Sequence, residues 1–174
     1  VDFFIETINP DNKNEYQYDD KWLPMTVLEE TIPLQNGEDT TIVIRMTHHG
    51  PIISDIHSLL RNDDTAMSMS WTGHWVTKEM DAWVGINTMK NWDDFTKALK
   101  NFGVPGQNIV YADADGNIGW RPAVFIPVRK EGVSMVPRPG NDSQYDWKGK
   151  VPYSQMPYLF NPPGGYISTA NNKT

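Results

Sequence analysis

The sequence contains no cysteine, which removes disulfides, thiolate catalysis and cysteine-ligated zinc from consideration and leaves the compartment open. No apolar run approaches the roughly 18 residues that a membrane-spanning helix requires. No basic start leads into an apolar stretch, so no signal peptide is read at the beginning. Lysine and arginine number 15 against 22 acidic residues, a net charge of −7. They do not cluster, and a nucleic-acid surface depends on clustered cations that neutralise phosphates, so DNA and RNA are excluded as partners. A phosphate-cradling glycine loop, a G-x-S-x-G elbow and an H-E-x-x-H pair are missing as well.

What is present suits a packed core. Hydrophobic residues make up 39% of the 174, with 7 Trp, 7 Tyr and 6 Phe. That length buries one core and does not demand two, so 1–174 is expected to form a single domain without internal repeats. Val1 opens directly into the apolar, strand-like Val1-Asp2-Phe3-Phe4-Ile5 and is read as a cut end.

The periodicity predicts a strand-rich α+β chain. Residues 27–34 and 41–47 are two strands, and Asn36-Gly37 between them suits the positive φ of a tight hairpin turn. Met67, Met69 and Trp71 alternate with serines, which predicts a strand whose methionines face the core. From Asn91 to Gly103 the period becomes helical: Trp92, Phe95, Ala98, Leu99 and Phe102 share a face, Asn91 is the N-cap, and Gly103 with Pro105 ends the run. A shorter helix is predicted within 77–87, with Met80, Trp83 and Val84 on one face. Residues 109–112 and 118–120 form a second hairpin around Asp113-Ala114-Asp115-Gly116-Asn117, whose Asp-x-Asp-Gly lacks the rest of an EF-hand and reads as Asx and Gly turn chemistry. Eight of the thirteen prolines fall between Arg121 and Pro163, so that stretch is expected as irregular cover. Residues 166–170 alternate like a half-buried strand that runs into Asn171 and Asn172.

On chemistry alone no complete active site assembles. His48 and His49 are neighbours, and in a strand they point to opposite faces, which argues against a shared metal ion. His57 and His74 stand alone. Paired carboxylates such as Glu29-Glu30 read as solvated surface.

Four stretches, in their order, carry a resemblance: "THHGPIIS", "NWDDFTKAL", "NIVYADADGNIGW" and "PRPGNDSQYDWKGKVPYSQMPYLFNPPGGYISTANN". With Trp71-Thr72-Gly73 and the opening Val1-Asp2-Phe3-Phe4 they are similar to the penicillin acylase (penicillin amidase) family of N-terminal nucleophile hydrolases over nearly the whole chain. The resemblance implies a four-layer αββα sandwich and hydrolysis of acyl amides, β-lactams among them, through an acyl-enzyme. It implies an N-terminal serine, freed by autoprocessing, whose own α-amine is the base; with a pKa of about 7.7 to 8.0, such an amine accepts a proton near neutrality without a histidine. That serine is absent from these 174 residues, so the sequence is expected to be an internal piece of the catalytic chain, a partial domain, inactive alone. Its partners would be the remaining segments of the same precursor and a small acyl amide substrate, and its location periplasmic or extracellular.

Residue by residue, the resemblance makes Asn171 the side-chain donor of the oxyanion hole and Asn172 its support. It aligns Asp2 with a carboxylate ligand, and Val1 with a backbone ligand, of a structural calcium ion. Trp83 falls at an aromatic wall of the acyl pocket, or is a core residue of a short helix. No cofactor is implied for catalysis. The alternative from another class is a noncatalytic carbohydrate-binding or scaffold module using exposed aromatics.

Overall fold

The computed structural model describes residues 1–35, 37–57, 64–130 and 135–170. They form eleven strands and two α-helices, divided between two compact units: 1–74 with 129–148, and 75–128 with 149–174.

In the first unit, β1 (Asp2–Thr7) alternates strictly, burying Asp2, Phe4 and Glu6 and leaving Phe3 and Ile5 half-buried. Two carboxylates thus occupy the inward face of a strand that looks merely apolar. After β1 come the short hairpin β2 (Glu15–Tyr18) and β3 (Lys21–Pro24), then the long hairpin β4 (Thr26–Pro33) and β5 (Asp39–Thr47). The long hairpin matches the prediction, with Glu30 opposite Ile42 and Gly37 at φ +83° in the turn; Asn36 lies outside the described residues. β6 (Gly50–Pro51) continues from β5. β7 (Thr65–Ser70) pairs antiparallel with β1, and β10 (Arg138–Pro139) pairs parallel on its other side. A core of Ile8, Tyr16, Met25, Ile52 and Ala66 holds the unit together.

The predicted face of β7 is corrected. Ala66 and Ser68 are buried, while Met67 and Met69 are half-buried. Ser68 is drawn inward because its hydroxyl donates to the buried Glu6 carboxylate at 2.6 Å.

The second unit begins with α1 (Glu79–Thr88) and α2 (Trp92–Leu99), followed by the hairpin β8 (Gln107–Ala112) and β9 (Ile118–Ala123), against which β11 (Leu159–Phe160) pairs. α2 is as predicted: Asn91 accepts from the Asp94 N–H at 2.9 Å, and Phe95, Ala98, Leu99 and Phe102 are buried. α1 exists, but its predicted face is wrong. Met80, Trp83 and Val84 are exposed and Ala82 is buried. The glycine at 85 explains this, because a Cβ there would lie 2.7 Å from Ala98 Cβ, so the helices meet along their small residues. Ala82, Phe95, Leu99, Phe102, Tyr111 and Ala123 form the core.

The second hairpin turn is held by Asp113, which accepts from the N–H groups of Asp115 and Asn117, from Asn117 Nδ2 and from the Tyr111 hydroxyl. The described residues of 121–163 are largely irregular, as their prolines require. Residues 166–170 are not a strand; among the described residues no neighbouring strand takes up their backbone bonds, and period-two alternation has no meaning without one.

Replacing Asn91 by alanine removes the cap and is expected to cost about 1 kcal/mol. Faster hydrogen exchange at Asp93, Asp94 and Phe95, with the β8–β9 amides unchanged, is the result that checks it.

Candidate functional site

Asn171 and Asn172 lie outside the described residues. The chain that leads to them is described: Ile167, Ser168, Thr169 and Ala170 line a cavity of about 380 Å³ with Asn108, Trp120 and Leu159. The β8–β9 hairpin forms the opposite wall, where Trp120 Nε1 donates to Asn108 Oδ1 at 3.0 Å.

Trp83 is 45% exposed and meets Phe102 edge-on at 5.8 Å between ring centres. It lines a second cavity of about 420 Å³ with Ile86, Val104, Pro105 and Ile109. Glu79, on the same rim, accepts from Thr77 Oγ1 and from the Gly103 and Val104 N–H groups. Partial burial pushes its pKa up, but those bonds outweigh it and hold the carboxyl below its ordinary range.

Val1 is exposed and Asp2 is buried. Both Asp2 oxygens accept from Arg129, at 2.6 and 2.9 Å, and Trp147 Nε1 donates to one of them at 2.6 Å. Calcium takes about six to eight oxygens, and a guanidinium repels it. As arranged, Asp2 fits Arg129 rather than a calcium ion, which would require Arg129 to withdraw.

One constellation was not legible in the sequence. Glu6 is fully buried on β1, and its Oε1 accepts from Thr47 Oγ1 at 2.8 Å, Ser68 Oγ at 2.6 Å and His49 Nδ1 at 2.9 Å. The other nitrogen of His49 lies 3.1 Å from Asp146 Oδ1, and Phe4 stacks on the ring at 3.8 Å. His48 Nε2 is 3.6 Å from that same Asp146 oxygen, while its Nδ1 is 3.0 Å from the Tyr16 hydroxyl. Tyr18 donates to Asp146 Oδ2 at 2.5 Å.

The expectation that His48 and His49 diverge is therefore corrected. They sit in the turn between β5 and β6, not in a strand, and their rings lie 3.8 Å apart. The turn closes through Gly50 at φ +139°, where a side chain would strike the Met69 carbonyl. A signal existed: Gly-Pro directly after His-His is turn chemistry.

The charges follow from these contacts. Burial pushes the Glu6 carboxyl up, but the His49 bond and charge, with Ser68 and Thr47, outweigh it and hold its pKa below the ordinary 4.5. For Asp146, burial likewise opposes ionisation and is outweighed by Tyr18 and both histidines. Burial and its neighbour His49 keep the His48 pKa low. The bond to Asp146, with some burial, pushes the Tyr18 hydroxyl up to about 12.

This network is not a nucleophilic triad. Ser68 and His49 both donate to one Glu6 oxygen, so the imidazole does not receive the serine proton.

Comparison with known proteins covers the whole chain. The family model described as penicillin amidase matches residues 1–174. Penicillin G acylase of Escherichia coli is 33% identical over 178 residues, covering 99% of this chain and 20% of that protein. An acyl-homoserine lactone acylase, QuiP, of Pseudomonas fluorescens is 30% identical over 173 residues, covering 99% and 21%. Among solved structures, the thermostable penicillin G acylase of Alcaligenes faecalis superposes with a TM-score of 0.85 at 28% identity, over 99% of this chain and 30% of the other. The chain spans about a fifth of the length of the curated relatives it matches.

Proposed function

The chain belongs to the penicillin amidase family, and from that premise we propose that the whole protein hydrolyses acyl amides through an acyl-enzyme. The nucleophile is an N-terminal serine freed by autoprocessing, supplied by polypeptide outside these 174 residues, with its α-amine as general base. Within the described chain the strands and helices contribute to an αββα sandwich, of which 1–174 is one part. Asn171 directs its carboxamide N–H at the oxygen that gains charge when the amide carbonyl is attacked. The cavity walled by 167–170 is where the chain approaches that oxygen. A location outside the cytoplasm belongs to the same proposal.

The observation that carries this reading is the family-model match over residues 1–174, together with relatives named penicillin G acylase and acyl-homoserine lactone acylase that each cover 99% of the chain. A sugar-binding module would not be expected to share that register.

The test compares the full-length product with the 174-residue segment on phenylacetyl amides and on long-chain N-acyl homoserine lactones. Turnover by the full-length protein and none by the segment is expected. Hydrolysis by the segment alone, or by neither protein on either substrate, contradicts the proposal.

Trp83 is proposed as a wall of the acyl pocket. Trp83→Ala in the full-length protein should lower kcat/KM about tenfold for the preferred acyl group, the scale of lost apolar pocket contact. An unchanged kcat/KM with a lowered unfolding midpoint would make Trp83 a packing residue.

A further inference from the structure

Among the described residues, and outside those given a role in amide hydrolysis, one cluster has the composition of a metal centre. We propose that His48, His49 and Asp146 bind a single divalent transition-metal ion, with zinc the best match, and that Glu6 and Tyr16 hold the two imidazoles from behind. The inference stands apart from the amidase reading and does not rest on it.

Geometry supplies the first argument. The ligand atoms of His48, His49 and Asp146 lie within 4.8 Å of one another. Zinc bonds of about 2.0 to 2.2 Å place the ligands of a tetrahedral site about 3.3 to 3.5 Å apart. The two distances to Asp146 Oδ1, 3.1 Å from His49 and 3.6 Å from His48, already bracket that spacing. At 3.6 Å the His48 contact is too long for a hydrogen bond, whereas two ligands of one ion stand at such a separation.

The second argument is the inventory of hydrogens. His49 lies between Glu6 Oε1 at 2.9 Å and Asp146 Oδ1 at 3.1 Å. A neutral imidazole has one N–H and cannot donate to both. Either the ring is an imidazolium that donates to both, or Nδ1 donates to Glu6 and the Nε2 lone pair faces Asp146, where a metal ion between them satisfies both groups. In the metal-bound form both imidazoles are neutral, and a divalent ion balances the two carboxylates of Glu6 and Asp146.

The outer contacts complete the pattern. Histidines that bind zinc give their other N–H to a carboxylate or similar acceptor, which fixes the ring and raises its basicity. Glu6 does this for His49, and the Tyr16 hydroxyl, 3.0 Å from Nδ1, does it for His48. Phe4, stacked on His49, fixes the ring plane. His48 and Asp146 side chains are 33% and 24% exposed, so an ion can enter and a fourth position opens to solvent.

The test uses the full-length protein without a polyhistidine tag, stripped with a chelator and held in excess calcium so that oxygen-ligand sites are saturated. Zinc is titrated by calorimetry, and cobalt(II) is added separately to read its visible absorption. One equivalent of zinc should bind, the unfolding midpoint should rise, and cobalt should give the intense bands of a low-coordinate site. His48→Gln and Asp146→Asn should each weaken zinc at least tenfold and abolish those bands, with circular dichroism unchanged. His48 is partly exposed and Asn keeps the shape of Asp146, so the fold is expected to tolerate both. Absence of saturable zinc binding to the wild type, or binding of equal strength in both variants, would overturn the proposal.

Discussion

Replacing Asn171 by alanine in the full-length protein is expected to lower kcat by about 100- to 1000-fold, with a small change in KM. The attacked amide carbonyl carries little charge in the ground state and nearly a full charge in the tetrahedral intermediate, so a donor aimed at that oxygen acts mostly on the barrier. Loss of one preorganised donor costs about 2.7 to 4 kcal/mol in such sites. Alanine removes the carboxamide without adding bulk, and equal losses in kcat and kcat/KM are the signature of an interaction made in the transition state. Steady-state kinetics on phenylacetyl and long-chain acyl amides supply the measurement. Near-normal turnover in a folded variant would remove Asn171 from the mechanism. Asn172→Ala, whose proposed role is to support its neighbour, should lose less.

The second large effect is on stability. Glu6→Ala is expected to destabilise the protein by about 3 to 5 kcal/mol, because removing one partner from a buried charged network strands the rest. Thr47, Ser68 and His49 would keep three donors aimed at a vacated site in the interior. The remaining oxygen, Oε2, is buried without a hydrogen-bond partner among the described residues and packs against Gly140, where any Cβ would strike it. Glu6→Gln keeps the shape and loses the charge, so its cost should be smaller, about 1 to 3 kcal/mol. The pH dependence has a definite sign. The folded pKa of Glu6 is held below its ordinary 4.5, so its contribution is complete above that value and is lost as pH falls through the lower folded value. Unfolding midpoints measured from pH 6 down to pH 3 should fall more steeply for the wild type than for Glu6→Gln. Parallel curves would contradict this assignment.

Local chemistry made some of the fold legible. The Gly37 turn, the Asp113 turn and the Asn91 cap each specify backbone geometry within a few residues, and all three appear as read. The faces of α1 and β7 differ from those the periodicity predicts because non-local contacts decide them. Gly85 against Ala98 turns α1 so that Ala82 goes inward, and buried Glu6 recruits Ser68 over the larger methionines. Alternation alone ranks a methionine above a serine and contains no information about a carboxylate 62 residues away. The His48–His49 pair differs from its strand-like pattern for a similar reason, since Gly50 enforces a turn there and Asp146 comes from a distant segment. The proposal for Asn171 rests on a pattern spread over the whole chain. No local property of Ala-Asn-Asn separates an oxyanion donor from a turn cap.

The most direct test of the central claim is a structure of the full-length protein carrying a tetrahedral analogue, such as a boronate of a favoured acyl group, on its nucleophile. The account predicts Asn171 Nδ2 about 2.7 to 3.1 Å from the oxygen that stands for the oxyanion, in the cleft that 167–170 enters. An Asn171 carboxamide enclosed elsewhere, or turned from that oxygen, would contradict it.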